Sequence, residues 1–261
     1  MPGLHSRPAP LDQADGLRRL FAHARVRFVP VVSNPHVAFG GVMLERLCAA
    51  FAEHGKHTLV VDAGEHSPAH AEMATLDLAS CIEPLSAQVS YLGARGLPIK
   101  FVDTHGSTAS FLQAVSDAAP HADTVLVHAA ASDLCRLFAR SEVRPLLLAD
   151  DHPASVTHAY ASMKLLTQRA GLVVHDLLLS AATTSPRAER IAMQIATCAD
   201  DFLGAALRDW VQIDPATGAQ EAPSPALRRW ARDTLQPQPP LAHVSEAAVR
   251  AEALHAGHAL I

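Results

Sequence analysis

From residue 27 to residue 203 the chain repeats one pattern, a short apolar run rich in β-branched residues followed by a longer segment with apolar residues at helical spacing. Arg27–Ser33 (RFVPVVS), Thr58–Asp62 (TLVVD), Ile99–Asp103 (IKFVD), Thr124–His128 (TVLVH), Arg144–Ala149 (RPLLLA) and Val173–Ser180 (VVHDLLLS) read as strands. Met43–His54, Ser107–Ala118, Ser132–Ser141, Pro153–Arg169 and Thr184–Leu203 read as helices between them. Runs with so few polar positions must be covered on both faces, and strand alternating with helix implies right-handed βαβ units. The expected fold class is therefore α/β, three layers around a mostly parallel sheet.

The 261 residues suffice for a full core without disulfides. An apolar content of 49% against 18% charged excludes wholesale disorder. With 21 basic and 26 acidic residues the net charge is -5, which argues against direct nucleic-acid binding through a basic surface. Only Lys56, Lys100 and Lys164 are lysines. The four cysteines lie far apart without a CxxC, as reduced cytosolic thiols would. The opening MPGLHSRPAP has no apolar signal-peptide core and no window approaches a membrane span, so a cytoplasmic protein is expected. Among the 16 histidines, His66 and His70 are four apart beside Glu65, with His54 and His57 upstream; Pro68 breaks that spacing, and no metal site is expected.

Two segments flank the alternating region. Residues 11–22 place Leu11, Ala14, Leu17 and Phe21 on one side of an amphipathic helix capped by Asp12. Ser224-Pro225 caps a second helix, ALRRWARDTL, whose Leu227, Trp230, Ala231 and Leu235 share a face beside Arg228, Arg229 and Arg232. That pattern fits a membrane-surface helix contacting lipid through Leu227, Arg228 and Trp230, and equally a helix packed on its own sheet. The expected organisation is an N-terminal helix and linker over 1–24, an α/β domain over 25–235 ending in the amphipathic helix, and a proline-rich linker with a short helical tail (Ser245–His255) over 236–261.

In open α/β sheets the first strand-to-helix turn is the usual phosphate cradle. Here it reads Ser33-Asn34-Pro35-His36-Val37-Ala38-Phe39-Gly40-Gly41. Pro35 removes a backbone donor, Val37 and Phe39 stand where glycine is wanted, and no lysine is near.

The stretch VVSNPHVAFGGVMLERLCAAFAEHGKHTLVVDAG nevertheless resembles the opening of a MinD/ParA-type ATPase. Within that superfamily the chain is similar to the flagellar-number regulators, the FlhG/FleN family, through DQADGLR at 12–18, DDHPASVTHAYASMKLL at 150–166 and CADDFLGAALRDWVQIDP at 198–215. The resemblance reaches to about Leu235 and implies a deviant-Walker P-loop fold that in the family binds ATP and magnesium. The departures all fall on chemistry. Pro35 and Gly40 stand for the two loop lysines, Gly41 for the hydroxyl residue on magnesium, Gly64 for the second switch aspartate, His128 for the Walker B aspartate and Ser180 for the adenine-reading asparagine. Ser33, Gly40, Gly41 and Asp62 remain as a vestigial loop. Charge-assisted contacts of about 1.5 to 3 kcal/mol each would be lost, so neither a nucleotide cofactor nor catalysis is expected.

The resemblance further implies a regulator of flagellar number or placement. Its Asp12, Gln13, Leu17 and Arg18 would face the signal-recognition-particle-type GTPase FlhF. Flagellar transcription regulators or switch proteins, a second copy of the chain, and the inner membrane or cell pole are further partners and places implied. A divergent ATPase still binding ATP, or a MinD-like localisation factor of another surface apparatus, stay open as alternatives; no GxSxG, HExxH or paired carboxylate at a strand end supports another enzyme.

Overall fold

The computed structural model describes residues 26–218 and 220–236. The expected helix over 11–22, with Asp12, Gln13, Leu17 and Arg18, and the tail helix at Ser245–His255 lie outside the described residues.

The first strand, β1 (Arg27–Val32), runs parallel to β5 (Thr124–Ala129) over its whole length and to β6 (Leu146–Asp150) at Val31 and Val32. Outward on one side come β2 (Thr58–Ala63), β4 (Val89–Gly93) and the two-residue β3 (Glu83–Pro84); on the other come β7 (Val174–Ser180) and β8 (Ala206–Ile213). The order is β3-β4-β2-β5-β1-β6-β7-β8, parallel except for β3 against β4. Pro30 sits inside β1 without breaking the sheet. Arg27 N and Ser33 N donate to Asp123 O and Ala129 O on the β5 side, so odd residues face β5. The donor that Pro30 lacks falls on the other side, where the β6 register begins only at Val31.

Helices cover both faces. α1 (Gly40–Ala52) and, at the far end of the chain, α6 (Pro225–Leu235) share one face, where Met43, Leu47, Phe51, Leu227 and Trp230 pack on Val31, Leu126, Leu148 and Leu178. The opposite face carries α2 (Ala109–Ala118), α3 (Ala131–Leu137), α4 (Pro153–Ala170) and α5 (Ala188–Leu203), with Phe111, Leu134, Met163, Leu166 and Ile195 fully buried.

One expectation changes, and two points that the sequence left open are filled. Ile99–Asp103 is not a strand: Pro98–Phe101 forms a 3-10 turn in which Lys100 N donates to Leu97 O at 2.9 Å, and Ile99 is exposed. Pro98 preorganises that turn, and the place beside β2 goes to Val89–Gly93. β8, within the stretch noted only for its resemblance, is the outer strand beyond β7. The helix at ALRRWARDTL takes the packed alternative. Ser224 accepts from Leu227 N at 3.2 Å as the expected cap, Leu227 and Trp230 are buried against α1 and the sheet, and Trp230 stacks obliquely on Phe51 at 6.0 Å between centroids. Both side chains therefore point away from any membrane surface. Arg228, on the outer face, pairs with Glu53 at 3.6 Å.

Candidate functional site

The carboxyl ends of β1, β2, β5 and β6 open on a cleft of about 430 Å³, within the range of small-molecule sites. The β1–α1 turn forms one wall, bringing Ser33, Gly40 and Gly41 to the same cleft as Asp62. Asn34 holds that turn. Its Nδ2 donates to Leu148 O (2.8 Å), Ser155 O (3.0 Å) and Ser155 Oγ (3.1 Å), while its Oδ1 accepts from His36 N. Asn34 and Ser155 are buried, so these bonds form away from competing water and fasten the turn to β6 and α4. Gly40 and Gly41 open the helix, and a Cβ at either would meet nothing within 4 Å. Packing does not demand glycine there.

At Gly64 it does. A Cβ would stand 2.9 Å from both His128 Cε1 and Ser67 Oγ. Those two side chains belong to a cluster built around Asp62, at the end of β2 and in register with His128 on β5. Asp62 Oδ1 receives His128 Nδ1 (2.7 Å), the Ser67 hydroxyl and Gly64 N (3.3 Å); Oδ2 receives the Tyr91 hydroxyl (3.2 Å). Burial pushes the Asp62 carboxyl up, but the bonds from His128 and Ser67, the imidazole charge and the Gly64 amide outweigh it and hold the group below its ordinary range. Tyr91 is pushed up to about 12 by burial and by the Asp62 charge. An ionised carboxylate only accepts, so a proton sits on His128 Nδ1; His128 lines the cleft, and among the described residues no protein group bonds its Nε2.

No protein-family model matches the chain. Over 102 residues, 38% of this chain, it is 31% identical to the antiactivator FleN of Pseudomonas aeruginosa; that stretch spans 36% of FleN. Among solved structures it is similar to MinD of Aquifex aeolicus (TM-score 0.53, 13% identity, 83% of this chain and 99% of that one). It is likewise similar to a ParA family ATPase of Chlorobium tepidum (TM-score 0.54, 14% identity, 79% and 98%). The fold is that of the MinD/ParA-type P-loop ATPases. A third neighbour is the cobyrinic acid a,c-diamide synthase of Mycobacterium smegmatis with bound ATP analog and magnesium (TM-score 0.57, 13% identity, 79% and 93%).

Four protein donors already reach Asp62, three on Oδ1 and one on Oδ2, so its carboxylate is largely engaged by the protein itself. Among the described residues neither lysine nor arginine lines the cleft. Lys56 pairs instead with Asp123 at 3.0 Å, before the amino end of β5. Of the histidines once grouped by spacing, His66 reaches the cleft but His70 bonds to Arg95 O, and among the described residues no three His, Cys, Asp or Glu side chains gather for a metal. No helix among the described residues is long and apolar enough to cross a membrane. Sequence reading picked out Asp62, Gly64 and His128 separately and missed Ser67, Tyr91, Asn34 and Ser155. Only the strand register joins them.

Proposed function

We propose that this chain is a regulator of flagellar biosynthesis that uses a MinD-type fold as a scaffold and does not turn over ATP. The observation that carries the non-hydrolytic part is the engagement of Asp62 by four protein donors, in a cleft where no lysine among the described residues meets a triphosphate. The flagellar part is supported by the similarity to FleN, an antiactivator, and by DQADGLR at 12–18. Output then comes from a docking surface rather than from hydrolysis. The segment holding Asp12, Gln13, Leu17 and Arg18 engages the signal-recognition-particle-type flagellar GTPase, with Leu17 as apolar anchor and Arg18 as the charged contact.

The experiment measures GTP turnover by that GTPase with the full chain, with a peptide of residues 8–23, and with a chain starting at Arg25. The peptide and the full chain are expected to stimulate, with Leu17→Ala or Arg18→Ala removing most of the effect. A chain lacking the segment that stimulates as well as full length would overturn the assignment.

A further inference from the structure

The amino ends of β2 and β4, at the opposite end of the sheet from the Asp62 cluster, carry a separate pocket of about 230 Å³. Leu59 on β2, Ile82 just ahead of β3, and Ala119 and Ala122 in the turn after α2 supply apolar wall. Two of those four are alanines, and a larger side chain at either would take up part of the space. The polar side chains are few and held in place. His57 and Ser90 both line the pocket, and His57 Nε2 lies 3.0 Å from Ser90 Oγ. The main chain of His57 is clamped to the start of β5: its N–H donates to Asp123 Oδ2 at 2.9 Å, and its carbonyl accepts from Asp123 N and Thr124 N at 2.9 and 3.1 Å. Ser90 is fixed by register, opposite Leu59 on β2 and opposite Pro84 on β3.

We propose that this pocket binds a small uncharged alcohol of single-ring size, with its hydrocarbon part against the apolar wall and its hydroxyl bonded to the Ser90–His57 pair. The charge of the ligand follows from the lining. Among the described residues no Asp, Glu, Lys or Arg lines the pocket, and Lys56 and Asp123 next to it pair with each other at 3.0 Å. An ionic ligand would leave water without a counter-charge, whereas a neutral one meets no such cost. The size follows from the volume. Drug-sized ligands fill about 300 to 1,000 Å³, so this pocket takes one ring or a short branched chain. The hydroxyl follows from the pair, because a group that both donates and accepts can bond Ser90 Oγ or His57 Nε2 whichever of them carries the shared proton. The site is independent of the strand-end cleft and stands whether or not the chain hydrolyses ATP.

The test is a titration of the full chain with benzyl alcohol and, separately, with benzoate, which keeps the ring and replaces the hydroxyl by a charge. The readout is the backbone amide resonances. Saturable shifts centred on His57, Ser90 and Ala122 are expected with benzyl alcohol, and benzoate should bind at least about tenfold more weakly. Ser90→Ala should weaken the alcohol about three- to tenfold, as the loss of one hydrogen bond does. Ala119→Leu, which puts a larger side chain into the pocket, should abolish saturation, with a thermal melt to show that the fold is kept; if that variant melts early, Ala118→Leu on the same wall takes its place. No saturable shift up to about 50 mM benzyl alcohol, shifts spread over the sheet rather than centred on the pocket, equal affinity for benzoate, or unchanged affinity in Ser90→Ala would each overturn the proposal.

Discussion

His128 Nδ1 lies 2.7 Å from Asp62 Oδ1 across the adjoining ends of β5 and β2, and the space above them is kept clear by Gly64. A negative charge and a ring able to balance it thus stand on neighbouring strands, at the end of a parallel sheet where ligands of such folds are bound. The pair links two departures from the resemblance with one retained residue. His128 brings the ring, Gly64 yields the room, and Asp62 survives because it now holds the ring.

Gly64→Ala should destabilise the fold by about 1 to 3 kcal/mol, since a Cβ 2.9 Å from His128 Cε1 forces the ring or the Ser67 hydroxyl to move. In Gly64→Ala with His128→Ala the cost of the first change should shrink, and urea denaturation of the four chains gives the coupling. Strict additivity would mean that the two positions do not compete for space.

Two carboxylates should give opposite pH slopes. Asp62 is held below its ordinary range, so its contribution is present above the unfolded pKa and is lost as pH falls through the folded value. Asp176, buried beneath α6, is pushed up to about 7 by burial, although it accepts from Trp230 Nε1 at 3.1 Å. Arg144 at 3.7 Å lies beyond hydrogen-bonding reach, and Oδ1 of Asp176 has no partner among the described residues. The native state therefore keeps a proton that the unfolded chain releases near 4, and that contribution is lost as pH rises from about 4 through about 7. Asp176→Asn should flatten the fall in stability between about pH 4 and pH 7, measured by denaturant midpoints. An unchanged slope would mean that Asp176 is ionised throughout.

Trp230→Ala should cost about 3 to 5 kcal/mol, because the ring is buried between Phe51 and the sheet and its N–H meets Asp176. Arg228→Ala, which loses only an exposed pair with Glu53, should stay within about 0.5 kcal/mol. Thermal melts separate the two. Sedimentation with anionic vesicles should not change in Arg228→Ala; loss of vesicle binding in that variant, with an unchanged melt, would return the helix to a membrane surface.

How much of this was written in the sequence depends on whether a feature is local. The runs at 27–33, 58–62, 124–128, 144–149 and 173–180 declare themselves because central parallel strands must be apolar on both faces. Val89–Gly93, nearer the edge, mixes Ser90 and Tyr91 among its apolar residues and loses on composition to Ile99–Asp103. The packing of α6 could not be chosen from its pattern, since one apolar face serves a membrane and a sheet equally. In the site, His128 stands out only as a departure, and its bond to Asp62, 66 residues away, follows from strand register. Ser67 and Tyr91 gave no signal of their own. Each is an ordinary residue that the fold delivers to one carboxylate.

The most direct test of the non-hydrolytic regulator is calorimetric titration of the full chain with Mg-ATP, followed by a turnover assay on the same sample. With Asp62 engaged by His128, Ser67, Gly64 and Tyr91 and no lysine among the described residues lining the cleft, binding should be weaker than about 100 μM, roughly −5.5 kcal/mol, with no phosphate released. A tighter Mg-ATP complex, or hydrolysis that disappears in Asp62→Ala, would contradict it.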